Sequence, residues 1–418
     1  MIHRDIEHVV VKSLPLREIT ILVGARQVGK TTVLKKIADS LQKQGKNVIF
    51  LNFDIESNAV SMASQQALIN KARLEFGNEP GYIFIDEIQQ KEDAGRFLKG
   101  LFDAELPYKM IVTGSGSLEL KEKISESLAG RKRLIEMTSV SFKEFIDYKT
   151  GYKYSNRLDQ YCETEKENLD FLLTEYLSFG GYPKIVTAIT ASEKREIMNE
   201  IFSSYITKDI TYLLKVRTPD RFVKLIKLLA LLNGKLLNYS KLSTETGISV
   251  ETLKEYLWYI EQTFVTKTIL PYFTNPKKEI TKSPIVYFKD LGMCNFATGK
   301  FGITDASGFV FQNFIYLLLT EKLKGEFYQI NYWRTKDKAE VDFIIQLNGN
   351  VIPLEVKFSN LKGTTISRAF RSFIEKYKPH SGYVVNLSLD ETIKINGTTV
   401  RFIPYWKLMF NEEFPMRT

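Results

Sequence analysis

Gly24-Ala25-Arg26-Gln27-Val28-Gly29-Lys30-Thr31, with Thr32 behind it, sets two glycines, a lysine and a hydroxyl in the GxxxxGK[ST] spacing. A loop of this kind turns its backbone N–H groups, and the start of the helix that follows, toward phosphate oxygens. Lys30 then offsets charge on the β- and γ-phosphates, and the Thr31 hydroxyl is a ligand for Mg²⁺. A second acidic feature follows at Asp86-Glu87, where the apolar run GYIFIDEIQ ends. Asp86 would hold Mg²⁺ through its water shell, and Glu87 would polarise the attacking water. Adjacent carboxylates repel, and a divalent cation offsets that repulsion. Thr113, at the end of YKMIVT and before Gly114, Ser115 and Gly116, can orient the water or the γ-phosphate; Ser115 is equally well placed, and a plain turn is the alternative for both. Arg131 or Arg133, in LAGRKRLIE, is a candidate arginine finger supplied to a neighbouring subunit, which implies a homo-oligomer; an ordinary surface arginine is the other reading.

These groups need elements to hold them. EITILV before the glycine loop is a β-branched run with the character of a buried strand, and TVLKKIADSL after it has helical spacing. Strand-like segments recur near residues 18, 47, 81, 109 and 133, with helical stretches between most of them. That alternation predicts a doubly wound parallel α/β sheet with its ligand at the carboxyl ends of the strands. The acidic doublet and the polar strand tip favour the ATPase branch that includes AAA+ proteins. No guanine-reading NKxD occurs, so ATP is the expected nucleotide.

The middle of the chain reads as helical. Periodicity over 157–232 is interrupted by Gly180, Gly181 and Pro183, and predicts a helical lid. From Tyr239 a short helix meets a turn at Gly247, and a longer helix starts with Ser249 as its N-cap, the rhythm of a helix-turn-helix. The second helix carries Glu251, Lys254, Glu255 and Glu261, so its net charge opposes DNA phosphates. A packing or protein-contact role suits it better. DNA contact is expected instead from Lys277, Lys278 and Lys282 in a wing-like basic tract.

A second chemical constellation lies near the end. A helix over 309–323 precedes two strands, at 340–347 and 351–358, joined through Asn348-Gly349-Asn350. Asp342 lies on the first strand; Glu355 and Lys357, two apart, share a face of the second. Two carboxylates suit Mg²⁺ or Mn²⁺, and the lysine can orient a water or help deprotonate it. This is the D…ExK signature of the PD-(D/E)XK nuclease fold. Charged residues on a solvated sheet face, or the same fold kept as a non-cleaving platform, are the competing readings.

Composition bounds the remaining possibilities. With 418 residues, the chain exceeds one ordinary core. Lys and Arg total 58 against 49 Asp and Glu, a net charge of +9 that permits an acidic partner. Two cysteines, Cys162 and Cys294, exclude a disulfide framework, and three scattered histidines (His3, His8, His380) argue against a histidine-based metal site or triad. The charged N-terminus and the short apolar runs predict neither a signal peptide nor a membrane span, and hence a cytoplasmic protein.

The motifs GARQVGKTT, YIFIDEIQ, VTGSGS, LAGR, FGGYP, YITKDI, EYLWYIEQTFV, YFKDLG, YWRTKDKAEVDFII and IPLEVK run almost the whole length. Together they resemble a prokaryotic family of ATPases that joins an AAA+-like (AAA_14) N-terminal domain to a C-terminal DUF4143 region. The resemblance implies four parts: an AAA+-like ATPase domain over 1–150, a helical lid over 151–220, a winged-helix-like domain over 221–290, and a PD-(D/E)XK nuclease-like domain over 291–418. It implies ATP and Mg²⁺ as ligands and leaves the substrate open. One position departs from it. Where the family has a glutamate in the helix before the hairpin, this chain has Gln312. Glu321, about two and a half turns further along, falls on the opposite helix face and cannot replace it. Three readings stand: an ATPase that acts on DNA, with a tail that binds or cuts it; a regulatory switch whose tail is an inert platform; and a metal-dependent nuclease with a vestigial ATPase.

Overall fold

A computed structural model describes residues 1–115, 128–213, 218–273, 283–303, 307–335, 339–410 and 414. Gly116 and the wing lysines Lys277, Lys278 and Lys282 lie outside them.

Five strands form the first sheet: β1 (Ile19–Gly24), β2 (Asn47–Asn52), β3 (Gly81–Asp86), β4 (Tyr108–Ser115) and β5 (Lys132–Glu136). All pair in parallel, in the order β2-β3-β4-β1-β5. β1 is buried at every position and β4 at all but one, as expected of strands covered on both faces. One face packs on helices Gln65–Phe76 and Ala94–Asp103 through Ile21, Ile83, Leu68 and Leu98. The other face, with Leu22, Phe84 and Ile111, packs on the helix Lys30–Lys43 and shares its core with helices from 183 to 297. The order places β4 between β1 and β3. The loop after β1 and the acid at the end of β3 therefore open on one crevice, floored by the tip of β4. The sheet is of the AAA+-like P-loop type that the sequence predicts.

The predicted lid does not form one body. Helices Leu158–Thr164 and Lys166–Phe179 bury Leu158, Cys162, Leu169 and Leu173 in the core of the C-terminal sheet, whereas Met198, Ile201 and Ile210 join the P-loop core. The break falls at Gly180, whose φ of +74° allows the chain to turn; a Cβ there would lie 2.4 Å from the Gly292 backbone nitrogen. Gly181 donates its backbone N–H to the buried Asp290. The FGGYP motif is thus a close-packing device between two cores.

Helices Tyr239–Thr246 and Val250–Gln262 flank Gly247 at φ +69°, and Ser249 accepts the Thr252 N–H as an N-cap. A short antiparallel pair follows, β6 (Thr266–Ile269) with β7 (Ile285–Phe288).

The second sheet contains β8 (Tyr328–Arg334), β9 (Glu340–Leu347), β10 (Asn350–Val356), β11 (Ser381–Asn386), β12 (Glu391–Ile395) and β13 (Thr398–Pro404). Its order is β12-β13-β11-β10-β9-β8. β8, β9 and β10 are an antiparallel meander; β10, β11 and β13 run parallel. Asn348 and Gly349 both have positive φ, the conformation a two-residue hairpin needs. Helix Gly308–Lys322 covers one face through Phe311, Phe314 and Ile315, and helix Arg368–Tyr377 covers the other through Phe370, Phe373 and Ile374.

Candidate nucleotide and metal sites

The glycine loop is shaped by three local demands. Gln27 and Gly29 take φ values of +60° and +100°, so the chain doubles back before the helix Lys30–Lys43 begins. Gly24 must lack a side chain, since a Cβ there would meet the Met137 carbonyl oxygen at 2.2 Å. Arg4 supports the loop from behind: it donates to the carbonyls of Val28 (2.9 Å), Thr138 (2.8 Å) and Ser139 (3.2 Å). The buried Arg4 charge is balanced by Glu144 at 3.0 Å, whose carboxylate also accepts the backbone N–H groups of Asp5 and Ser141. A buried pair with all its partners supplied is tolerated, and removal of either member would strand the other.

Lys30 is buried and donates to the carbonyls of Gly24 (3.1 Å) and Ala25 (2.8 Å). Burial pulls its affinity for a proton below that of a free lysine, while Glu87 and Asp209 act in the opposite direction. Thr31 is half-buried and Thr32 exposed on the first turn of the helix.

Across the crevice, Asp86 ends β3, and both its oxygens are engaged. Asn52 donates to Oδ2 at 3.1 Å, and the Thr113 hydroxyl donates to Oδ1. The same hydroxyl accepts the Glu87 N–H at 3.1 Å. Thr113 is fully buried, so it fixes the acidic doublet and does not face solvent as a water-orienting tip. Glu87 sits at φ +58°, a left-handed conformation rare for a residue with a side chain, which turns it away from the path of the strand. Burial pushes its pKa upward, with Lys30 opposing. Gln89 donates to Glu87 Oε2 and accepts the Ser115 N–H, so it ties the acid to the tip of β4.

The arginines expected as fingers in trans, Arg131 and Arg133, lie away from their own chain's glycine loop. Arg131 precedes β5 at the amino end of the sheet, where its carbonyl accepts the Ile19 N–H, and its side chain pairs with Asp103 at 2.8 Å. β1 runs from this end to the glycine loop, a length on the order of 15 Å. Arg133 is exposed on the edge strand β5. The arginine beside Lys30 is Arg26, whose Nε donates to both carboxylate oxygens of Asp209 at 2.8 Å. Arg26 falls in the glycine loop and Gln89 ends GYIFIDEIQ, but the motifs assign no role to Gln89, Arg4 or Asn52, and Asp209 lies in YITKDI with no spacing that pairs it with Arg26.

In the second sheet the predicted residues do converge. Asp342 on β9 accepts Gln312 Nε2 at 2.7 Å and the Val356 N–H at 2.7 Å. Glu355, buried on β10, pairs with Lys357 at 2.7 Å through Oε1; its Oε2 is buried with no hydrogen-bond partner among the described residues. Burial raises the Asp342 pKa to about 7. Gln312 therefore stands at the site, where its amide replaces an acid as a partner for Asp342. Glu321 points away and pairs with Lys324. The residues fit one divalent cation in chemistry: two carboxylates, one of them with an orphaned buried oxygen, and an amide that can supply a carbonyl. Among the described residues, no cluster of three or more His, Cys, Asp or Glu is placed to hold a metal.

A parallel sheet in this order, with a glycine loop after β1 and an acid at the tip of β3, defines an AAA-type P-loop ATPase domain. Family models bear this out: residues 16–146 match the AAA domain (AAA_14), 170–304 a domain of unknown function (DUF8612), and 307–408 a domain of unknown function (DUF4143). The chain thus combines an AAA domain with a DUF4143 domain.

Among curated proteins, an uncharacterized protein of Methanocaldococcus jannaschii is 27% identical over 97% of this chain and 90% of its own. One of Haemophilus influenzae is 26% identical over 93% and 94%. One of Mycobacterium tuberculosis is 26% identical over 86% and 74%. Among solved structures, AMPPCP-bound DnaA from Aquifex aeolicus aligns at TM-score 0.29 and 16% identity, over 61% of this chain and 86% of that one. Cdc6p from Pyrobaculum aerophilum aligns at 0.27 and 10%, over 71% and 91%. Scores this low carry no weight, and the fold assignment rests on strand order and loop. Among the described residues, no helix is long and apolar enough to cross a membrane.

Proposed function

We propose that this chain binds and hydrolyses ATP in the crevice between Lys30 and Glu87, and that it couples this cycle to DNA. The observation that carries the nucleotide reading is the facing of the Gly24–Thr31 loop and the Asp86-Glu87 doublet across the tip of β4. In this reading the loop N–H groups and Lys30 hold the triphosphate. Thr31 and Asp86 would hold Mg²⁺, which would neutralise charge on the phosphates. Glu87 takes the proton of the attacking water as the bond to the γ-phosphorus forms and ADP departs. Thr113 keeps Asp86 and Glu87 in place.

The tail is read as a PD-(D/E)XK-like unit: a helix, an antiparallel three-stranded meander, a second helix and a parallel strand, with Asp342, Glu355 and Lys357 together at its centre. Asp342 and Glu355 would hold Mg²⁺ or Mn²⁺, and Lys357 would orient a water. Mn²⁺ uptake at this site, followed by calorimetry, is expected to weaken as pH falls through about 7, because a protonated Asp342 cannot ligate. Asp342→Ala should abolish the uptake and leave ATP affinity unchanged. Uptake that persists in that variant would place the metal elsewhere.

ATP turnover with and without single- and double-stranded DNA tests the coupling. Stimulation of severalfold or more is expected. Turnover that ignores every DNA form, with no gel-shift, would favour the regulatory switch. One feature favours that second reading: helix Val250–Gln262 exposes Glu251, Lys254, Glu255 and Trp258, a face that suits a protein partner better than phosphate.

A further inference from the structure

We propose that Arg26 acts in cis on the terminal phosphate of the bound triphosphate, and that Asp209 is its positioning residue; both roles rest on the nucleotide reading above. Arg26 lies within the glycine loop itself, three residues before Gly29, while Asp209 comes from the π-helical segment Tyr205–Leu213. The contact spans 183 positions of sequence.

Its geometry is specific. Only Nε of Arg26 engages Asp209, with both carboxylate oxygens at 2.8 Å, and among the described residues the two terminal amino groups make no hydrogen bond. A carboxylate on the Nε side fixes the guanidinium plane and leaves the donor pair at the far end for another planar or tetrahedral anion. The Asp209 side chain is 6% exposed and that of Arg26 23%, so the pair is anchored at its buried end and open at the other. Arg26 and Asp209 both act electrostatically on Lys30, and Arg26 also on Glu87, which puts the guanidinium among the groups that surround the phosphates. Arg131, just before β5, and Arg133, on it, lack this placement within the same chain.

The chemistry follows from where charge gathers. ATP carries its extra phosphate where ADP has none, so an arginine that reads the terminal group separates the two nucleotides. An arginine without its carboxylate anchor samples other rotamers and loses part of that preorganisation. The anchor also gives the helical middle a direct link to the nucleotide. Segment 205–213 continues helix Ala191–Ser204 and contacts helix Pro219–Leu231, and Tyr205 hydrogen-bonds Thr263 at 2.9 Å, at the end of helix Val250–Gln262.

Calorimetric Kd values for ATP and for ADP, with the full chain, test the assignment. Arg26→Gln should weaken ATP by about 10- to 100-fold while ADP changes by less than about threefold. Asp209→Asn, which keeps the shape, should move ATP in the same direction by about three- to tenfold, and the double variant should be no worse than Arg26→Gln alone. A salt bridge that serves the fold alone would lower Tm and shift both nucleotides equally. An unchanged ATP-to-ADP ratio in well-folded Arg26→Gln would overturn the proposal. So would tighter ATP binding by Asp209→Asn, which would mark the carboxylate as a competitor of phosphate. Wild-type protein that takes up no ATP removes the nucleotide reading and this one with it, whereas normal ATP uptake with a flat ratio removes only this one.

Discussion

Lys30→Ala is expected to reduce affinity for ATP by about a hundredfold or more, the value of a buried charge-assisted contact to phosphate. Lys30 is buried, and its ammonium is surrounded by the loop carbonyls of Gly24 and Ala25 and, further out, by Glu87, Asp209 and Asp86. Its positive charge is therefore placed where anions gather, in a setting that has already removed much of its water. An alanine there leaves the two loop carbonyls without that donor and removes the positive charge that acts most strongly on Glu87. Phosphates would then approach a negative crevice. Titration with a fluorescent ATP analogue provides the measurement, and circular dichroism confirms that the variant is folded. Affinity within about threefold of wild type would mean that the triphosphate does not sit on this loop.

Glu87→Gln separates binding from chemistry. The variant is expected to bind ATP at close to wild-type affinity and to lower kcat by about 10²- to 10⁴-fold, as for loss of a positioned base. Burial raises the pKa of Glu87, and Lys30 holds it back toward the ionised form. Turnover should accordingly rise with pH as Glu87 loses its proton, since only the carboxylate can accept one from water. The glutamine variant should lose that limb of the profile. Lys30 titrates in the opposite sense: burial favours its neutral form, so high pH weakens binding. Wild-type rates in Glu87→Gln would move the base to another residue. The neighbour Asp86 has a different role, with Asn52 and Thr113 fixing both its oxygens.

Residues that act with their sequence neighbours were legible without coordinates. The loop, the strand before it and the helix after it form a contiguous unit, so spacing alone fixes which atoms meet phosphate. The hairpin is similar: an i, i+2 pair and a two-residue turn bring Glu355, Lys357 and Asp342 together. Gln312 was legible as a departure, and its bond to Asp342 shows that the substituted residue stays at the site.

Other features depend on segments that meet only after folding. Arg131 closes the motif LAGR, and strand direction places it at the amino end of its own sheet, paired with Asp103 and away from its own chain's glycine loop. Arg26 and Asp209 lie far apart in sequence, and nothing in the periodicity of YITKDITYL marks Asp209 as a partner of the loop. The division of the helical middle was also hidden, because an amphipathic helix advertises an apolar face without naming the surface that will cover it. Sequence alone thus determined a phosphate-binding loop, an acidic strand end and a carboxylate hairpin, since each is local and set by short-range geometry. The tertiary structure alone decided which arginine stands beside Lys30 and which core each helix joins, because these contacts depend on strand order and on surfaces that the chain brings together from a distance.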